Sequence, residues 1–147
     1  MDYRQFGEKF YVRLDKGDEI IASLTALCEK ENITAAQIQG IGGCESAKVG
    51  VFDQERKVYR QRELCCLLEL VSLDGNVTLY EGKPYIHAHA TFAYHGDDKK
   101  PEPLCGHLLE AVIGLTGEIV VTPAMGIIRR KFIEELGIRV WDFGTEN

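Results

Sequence analysis

Short runs of alternating apolar and polar residues recur along this chain, and one segment instead repeats apolar residues at helical spacing. The run from Phe10 to Leu14 alternates with period two, which predicts a β-strand. A helix is predicted from Asp18, as its N-cap, to about Asn32. Its apolar face would consist of Ile20, Ile21, Leu24, Leu27 and Cys28. Because such a face must be covered, we expect the helix to pack on a sheet.

The remaining pattern is typical of strands joined by tight turns. Strands are predicted at 33–41, 47–52, 64–73, 77–80, from Tyr85 onward, at 104–122, and as two short strands within 127–143. Gly42-Gly43 indicates a bend between strands, and Leu73-Asp74-Gly75-Asn76 indicates a hairpin turn. Tight turns join antiparallel neighbours. The predicted fold class is therefore α+β, a mostly antiparallel sheet with one main amphipathic helix packed on it, in a single domain of residues 1–147.

Composition and charge narrow the possible partners. The chain has 45% apolar and 27% charged residues, which is ordinary for a globular protein, and its 17 basic and 23 acidic residues give a net charge of −6. That balance disfavours tight direct binding to nucleic acid, which requires neutralised phosphates. We find neither a long apolar run nor an apolar leader, so we expect a cytoplasmic protein with no membrane partner.

Five cysteines, at positions 28, 44, 65, 66 and 105, form no CxxC pair. An odd number without metal-binding or redox spacing predicts reduced thiols. We expect them to be mostly buried as small apolar residues, with Cys65 and Cys66 on opposite faces of a strand.

Three of the four histidines lie close together in the sequence, at His87, His89 and His107. Alternate residues of a strand share a face, with Cα atoms about 6.6–6.8 Å apart, so His87 and His89 could converge on one ion. His107 could complete the site from another element. Imidazoles suit zinc, and three of them leave a position open. The alternative is a pair of polar residues on a half-exposed strand. His95 is excluded because it lies roughly 20 Å along the strand from His89.

Several motifs in order resemble the PPC ("plants and prokaryotes conserved") domain family, over roughly residues 6–143. They are Gly42-Gly43, the stretch from Glu69 to Asn76, the stretch from Gly82 to Ala90, Gly106-His107-Leu108, and the stretch from Thr116 to Val121. The resemblance implies a compact α+β domain that forms a homotrimer. It also implies that a metal, where present, would bind His87, His89 and His107. The fold resembles that of acetolactate decarboxylase, a zinc enzyme.

Two features depart from the plant members of that family. They carry an Arg-Gly-Arg-Pro element for the minor groove, whereas the densest basic run here is Arg129-Arg130-Lys131. Their Gly-Arg-Phe-Glu-Ile stretch corresponds to Cys66-Leu67-Leu68-Glu69-Leu70. A role on DNA would therefore rest on analogy alone.

Three functions remain as hypotheses. The first is a homotrimeric domain with a divalent-metal site, most simply zinc, that binds a small ligand or acts in regulation. The second is a metal-dependent lyase or hydrolase for a small carboxylate or carbonyl compound, with Glu118 or Glu110 moving a proton. The third is a DNA-binding regulator, by analogy with plant relatives.

Overall fold

One sheet of nine strands carries a single helix in this computed structural model, which describes residues 1–144. The helix α1 spans Ile20–Lys30. The strands are β1 Asp2–Phe6, β2 Lys9–Asp15, β3 Ala36–Asp53, β4 Val58–Leu64, β5 Leu68–Tyr80, β6 Lys83–His95, β7 Pro101–Pro123, β8 Arg129–Ile133 and β9 Ile138–Asp142. The predicted mostly antiparallel α+β class is confirmed. Two strands, β1 and β4, were not predicted from the pattern.

The pairing of the strands forms a closed circuit at the centre of the sheet. The main order is β1-β2-β7-β3-β5-β8-β9, β4 pairs with β3, and β6 pairs with both β5 and β7. All of these pairs are antiparallel except β5 with β8, which meet in parallel only at Leu79 and Arg129. Since β6 bridges β5 and β7, its side chains are held between two long strands.

The helix buries the predicted face but starts differently. Ile20, Leu24, Leu27 and Cys28 are fully buried against the sheet. Glu19, not Asp18, is the N-cap, and its carboxylate accepts from the backbone N–H groups of Ile21 and Ala22. The prediction for Asp18 is wrong because its carboxylate accepts from the Asp15 N–H at 2.8 Å and pairs with the N-terminal amine at 2.7 Å.

Two predicted turns lie inside continuous strands. Gly42 and Gly43 belong to the 18-residue strand β3, so one strand replaces the two predicted, although its pairing register shifts between Gly40 and Gly42 and between Gly42 and Cys44. Gly75 belongs to β5, so the prediction of a hairpin turn is wrong. A Cβ at Gly42 would lie 2.5 Å from the Thr116 carbonyl oxygen, and one at Gly75 would lie 2.6 Å from the His87 carbonyl oxygen. Gly42 and Gly75 therefore permit close approach of backbones.

The cysteines divide into two classes. All five are free; Cys28 and Cys44 are buried, while Cys65, Cys66 and Cys105 are exposed. The expectation of mostly buried cysteines is therefore wrong, because Cys65 and Cys66 lie in the connection between β4 and β5 rather than in a strand. Burial raises the pKa of both Cys28 and Cys44 to about 12, which keeps these thiols protonated.

Across the part of the chain that the structure describes, no helix has the length and apolar character needed to cross a membrane.

Candidate metal centre

Two adjacent strands bring three histidines together. His87 and His89 lie on β6, and His107 lies on β7 directly opposite His89. The other face of β6 carries Ala88, Ala90 and Phe92, which are buried in the core. Because the apolar face fixes the orientation of the strand, both imidazoles of β6 must point away from the core and toward His107.

The geometry of the three rings suits a shared ion. Their centroids are 5.3 Å apart for His87 and His89, 5.0 Å for His87 and His107, and 5.5 Å for His89 and His107. One ring nitrogen from each lies within 4.8 Å of the other two. Nitrogens bound to one tetrahedral ion are roughly 3.4 Å apart, given bonds of about 2.0–2.1 Å. Small rotations of the rings would therefore bring all three to bonding distance.

His107 has an unsatisfied polar atom. Its Nδ1 is buried and has no hydrogen-bond partner among residues 1–144. The ring stacks on Tyr59, with centroids 4.7 Å apart and an interplanar angle of 29°. A buried polar atom without a partner is costly, and its presence calls for an explanation such as an ion. The donor set of this chain therefore fits a divalent metal.

The surroundings of His87 and His107 favour the neutral imidazole that binds metals. Burial, together with smaller contributions from the neighbouring His107, Arg130 and His89, lowers the pKa of His87 to about 4. Burial also lowers the pKa of His107, with His89 and Arg130 contributing. Since a metal ligand must be an unprotonated imidazole, these surroundings favour binding at neutral pH.

The other candidate residues lie outside this group. The exposed ring of His95, at the end of β6, contacts the Lys99 carbonyl oxygen through Nδ1 at 3.0 Å. Glu110 is exposed on β7 opposite Lys48, and Glu118 is opposite Arg13 on β2. The group within residues 1–144 that could hold a metal ion contains only the three histidines and neither glutamate.

Arg130 is a site residue that the sequence pattern did not reveal. Only 8% of it is exposed. Its Nε donates to Thr78 Oγ1 at 2.8 Å, Nη1 to the Arg139 carbonyl oxygen at 3.0 Å, and Nη2 to Asn76 Oδ1 at 2.9 Å. Nη2 also lies 3.3 Å from His87 Nδ1. No local pattern marked it, because Phe132, on the same face of β8, is 48% exposed.

A small pocket adjoins the histidine group. Its volume is about 110 Å³, and it is lined by Tyr59, Tyr85, His87, His107, Arg130, Gly137, Ile138 and Arg139. Among residues 1–144, two of the three histidines, two arginines and two tyrosines line this cavity, and no carboxylate does. A ligand in this cavity would contact His87 and His107 directly.

Comparison with known proteins agrees with this architecture. A protein of Bacteroides thetaiotaomicron described as a "putative dna binding protein" is 30% identical, with a TM-score of 0.89 over 97% of this chain and 96% of that one. A metal-containing protein of Archaeoglobus fulgidus is 32% identical, with a TM-score of 0.82 over 96% of this chain and 98% of the other.

A third solved structure is a plant- and prokaryote-conserved (PPC) protein of Pyrococcus horikoshii, which is 29% identical, with a TM-score of 0.81 over 99% and 97% of the two chains. No curated protein is significantly similar to this chain. The model of one family matches residues 1–125. The chain therefore belongs to the Plants and Prokaryotes Conserved (PCC) domain family.

Proposed function

We propose that this protein is a homotrimeric domain that binds one divalent ion per chain, zinc in the first instance, and uses it to bind a small ligand. The proposed ligands are His87, His89 and His107. The observation that carries the proposal is the convergence of three imidazoles, one of which has a buried nitrogen without a hydrogen-bond partner in residues 1–144. A relative of 32% identity is a metal-containing protein, which supports it.

The test is the metal content of the purified protein and of protein that has been stripped with chelator and reloaded. We expect about one zinc ion per chain after reloading, because three imidazoles make a site of the catalytic type with an open position. Cobalt substitution gives a visible absorption band that reports nitrogen coordination. If the stripped protein takes up neither zinc nor cobalt, the proposal fails.

A second candidate function is a metal-dependent lyase or hydrolase for a small carboxylate or carbonyl compound. The observation that favours it is the pocket of about 110 Å³ beside a group of only three histidines within residues 1–144. A bound divalent ion would supply Lewis acidity there. This chain would position the substrate through the residues of the pocket. The proposed proton-transfer role of Glu118 or Glu110 lacks support from the geometry of the histidine group.

The trimer is supported by an apolar surface on the sheet. Ile41, Val71 and Leu115 are each more than half exposed and line one shallow depression together with Glu118. Tyr11, half exposed, lines the adjoining groove with Ile41 and Val71. Contiguous exposed apolar side chains are typical of surfaces that associate. A second copy of this chain is the occupant that the family resemblance implies.

We expect light scattering to give a mass of about 49.5 kDa, three times the chain mass of 16.5 kDa. Val71→Lys should shift the protein toward monomer, because it places a charge in the proposed interface. Val58→Lys, at an exposed valine of β4 outside this surface, is the matched control and should leave the mass unchanged. A wild-type monomer at micromolar concentration would rule the trimer out.

We expect no tight binding to duplex DNA, even though relatives are described as DNA-binding. A trimer would carry a net charge of −18, three times −6, which opposes the approach of a phosphate backbone. The basic run of β8 also offers less exposed positive charge than its sequence indicates. Arg130 is buried, and Lys131 Nζ contacts Asp142 at 3.4 Å.

The measurement is a fluorescence titration at about 150 mM salt, where we expect a Kd above about 1 μM. Tighter binding that is weakened by Arg129→Ala would show that a local basic patch overcomes the net charge. It would also support the DNA-associated role over the one proposed.

A further inference from the structure

We infer that the pocket between the histidine group and the β8–β9 hairpin is a binding site for a small carboxylate, held by Arg130 and Arg139. This inference names the small ligand of the proposed metal centre, and it rests on that proposal for the ion that would share the ligand. The observation that supports it independently is that two arginines, and no carboxylate of residues 1–144, line the cavity.

The charge of Arg130 is uncompensated. Its hydrogen-bond acceptors are a hydroxyl, an amide oxygen, a backbone carbonyl and an imidazole nitrogen, all of them neutral. Within residues 1–144 no carboxylate forms an ion pair with it. Arginine is almost never fully buried unless it is paired. A buried guanidinium that lines a cavity is therefore a site for a counter-anion.

Arg139 adds a second cation to the same wall. Its guanidinium lies 4.5 Å from the ring centroid of Tyr80 and 5.8 Å from that of Tyr85. In the described chain it too has no ion pair. The packing of the hairpin against β5 explains why Arg130 is buried, but it does not explain why a second arginine borders the cavity. Two guanidinium groups without an ion pair in residues 1–144 make the pocket electropositive before any metal binds.

The size and shape of the pocket select a small planar anion. Its volume of about 110 Å³ equals the share of about four water molecules in the liquid. Flat rings form its walls: Tyr59 stacks on His107, and the guanidinium of Arg130 lies 4.8 Å from the Tyr85 ring centroid. Both carboxylate and phosphate can pair with a guanidinium, so the flat walls of the cavity decide between them. Acetate therefore fits better than the tetrahedral phosphate ion.

One donor of Arg130 remains available to such a ligand. The guanidinium has five N–H groups. Four of them are accounted for by Thr78, Arg139, Asn76 and His87, which leaves one on Nη1. Tyr59 and Tyr85 line the same cavity, and each has a hydroxyl that can donate.

The experiment is calorimetric titration of the protein with acetate at constant ionic strength, with parallel titrations of phosphate. Each is done on zinc-loaded and on chelator-stripped protein, and the metal content of every sample is measured. We expect acetate to saturate one site per chain in the loaded protein and to bind more tightly than phosphate. Cobalt-substituted protein should show a change in its visible spectrum on the same titration curve.

Arg139→Gln should weaken acetate binding by about 10-fold, the usual effect of losing one charged hydrogen bond. This variant is preferred because Arg139 is exposed, whereas Arg130→Gln could unfold the hairpin. Arg129→Gln, an exposed position on β8 that does not line the pocket, is the control and should bind as the wild type does.

The outcomes separate this inference from the proposed metal function. If zinc is present and acetate does not bind, or binds equally to Arg139→Gln, the carboxylate site is wrong and the metal centre stands. If phosphate binds more tightly than acetate, the assignment to carboxylate is wrong. If zinc is not taken up but acetate binds and depends on Arg139, the metal proposal is wrong and the anion site stands.

Discussion

Replacing His107 with alanine is expected to lower the affinity for zinc by more than about 100-fold, since loss of even an outer partner of a metal ligand typically costs about 10–100-fold. His107 is the one member of the group that β6 does not supply, so its loss leaves two imidazoles from a single strand. The measurement is competition with a chromophoric chelator at neutral pH.

His95→Ala is the matched control for that change. It removes a histidine from the same strand that is exposed and lies outside the group, so the affinity should stay at the wild-type value. A thermal melt of each variant shows whether the fold is retained. Equal losses in His107→Ala and His95→Ala, or no loss in either, would mean that zinc binds elsewhere.

Replacing Phe92 with alanine is expected to reduce the free energy of unfolding by about 3–5 kcal/mol. Phe92 is fully buried on β6, on the face opposite the histidines, and it is among the largest buried side chains. The change removes apolar contact and leaves a cavity where β6 lies beneath the helix. The measurement is urea unfolding of the metal-free protein at one fixed protein concentration, because association also contributes to stability.

Thr91→Ala is the control for the core change. Thr91 is the exposed neighbour of Phe92, and such substitutions usually alter stability by less than about 0.5 kcal/mol. Because Phe92 anchors the strand that carries His87 and His89, the variant should also bind zinc more weakly. A stable Phe92→Ala protein with unchanged zinc affinity would show that the histidine geometry does not depend on the core face of β6.

The local sequence pattern predicts which side chains share a face when they lie on a single strand or helix. The period-two placement of His87 and His89 follows from the sequence alone, because the apolar residues Ala88, Ala90 and Phe92 must point the other way. The helical spacing of Leu24 and Leu27 predicted the buried face in the same manner. The position of His107 beside them depends on the pairing of β6 with β7, which local spacing does not specify.

The features that the sequence did not reveal all depend on neighbouring strands. Asp74-Gly75-Asn76 has the composition of a turn, but Gly75 pairs with Ala88 within the sheet. Glycine is required there because a Cβ would meet the His87 carbonyl oxygen. Arg130 belongs to a basic run that is typical of an exposed surface, yet its side chain is buried. Its acceptors Thr78 and Asn76 lie on β5, more than fifty residues away in the sequence. Contacts across such distances in sequence leave no local periodicity.

The residues proposed to bind the ion and those proposed to bind its small ligand lie in different parts of the chain, because the β8–β9 hairpin supplies only the second set. All three histidines lie on β6 and β7, within the residues that match the family, whereas the pocket wall formed by Arg130, Gly137, Ile138 and Arg139 lies beyond residue 125. The hairpin meets β5 at a single paired position, Leu79 with Arg129. Exchange of this one short segment would therefore alter the ligand that the pocket selects and leave the strands of the proposed metal site unchanged.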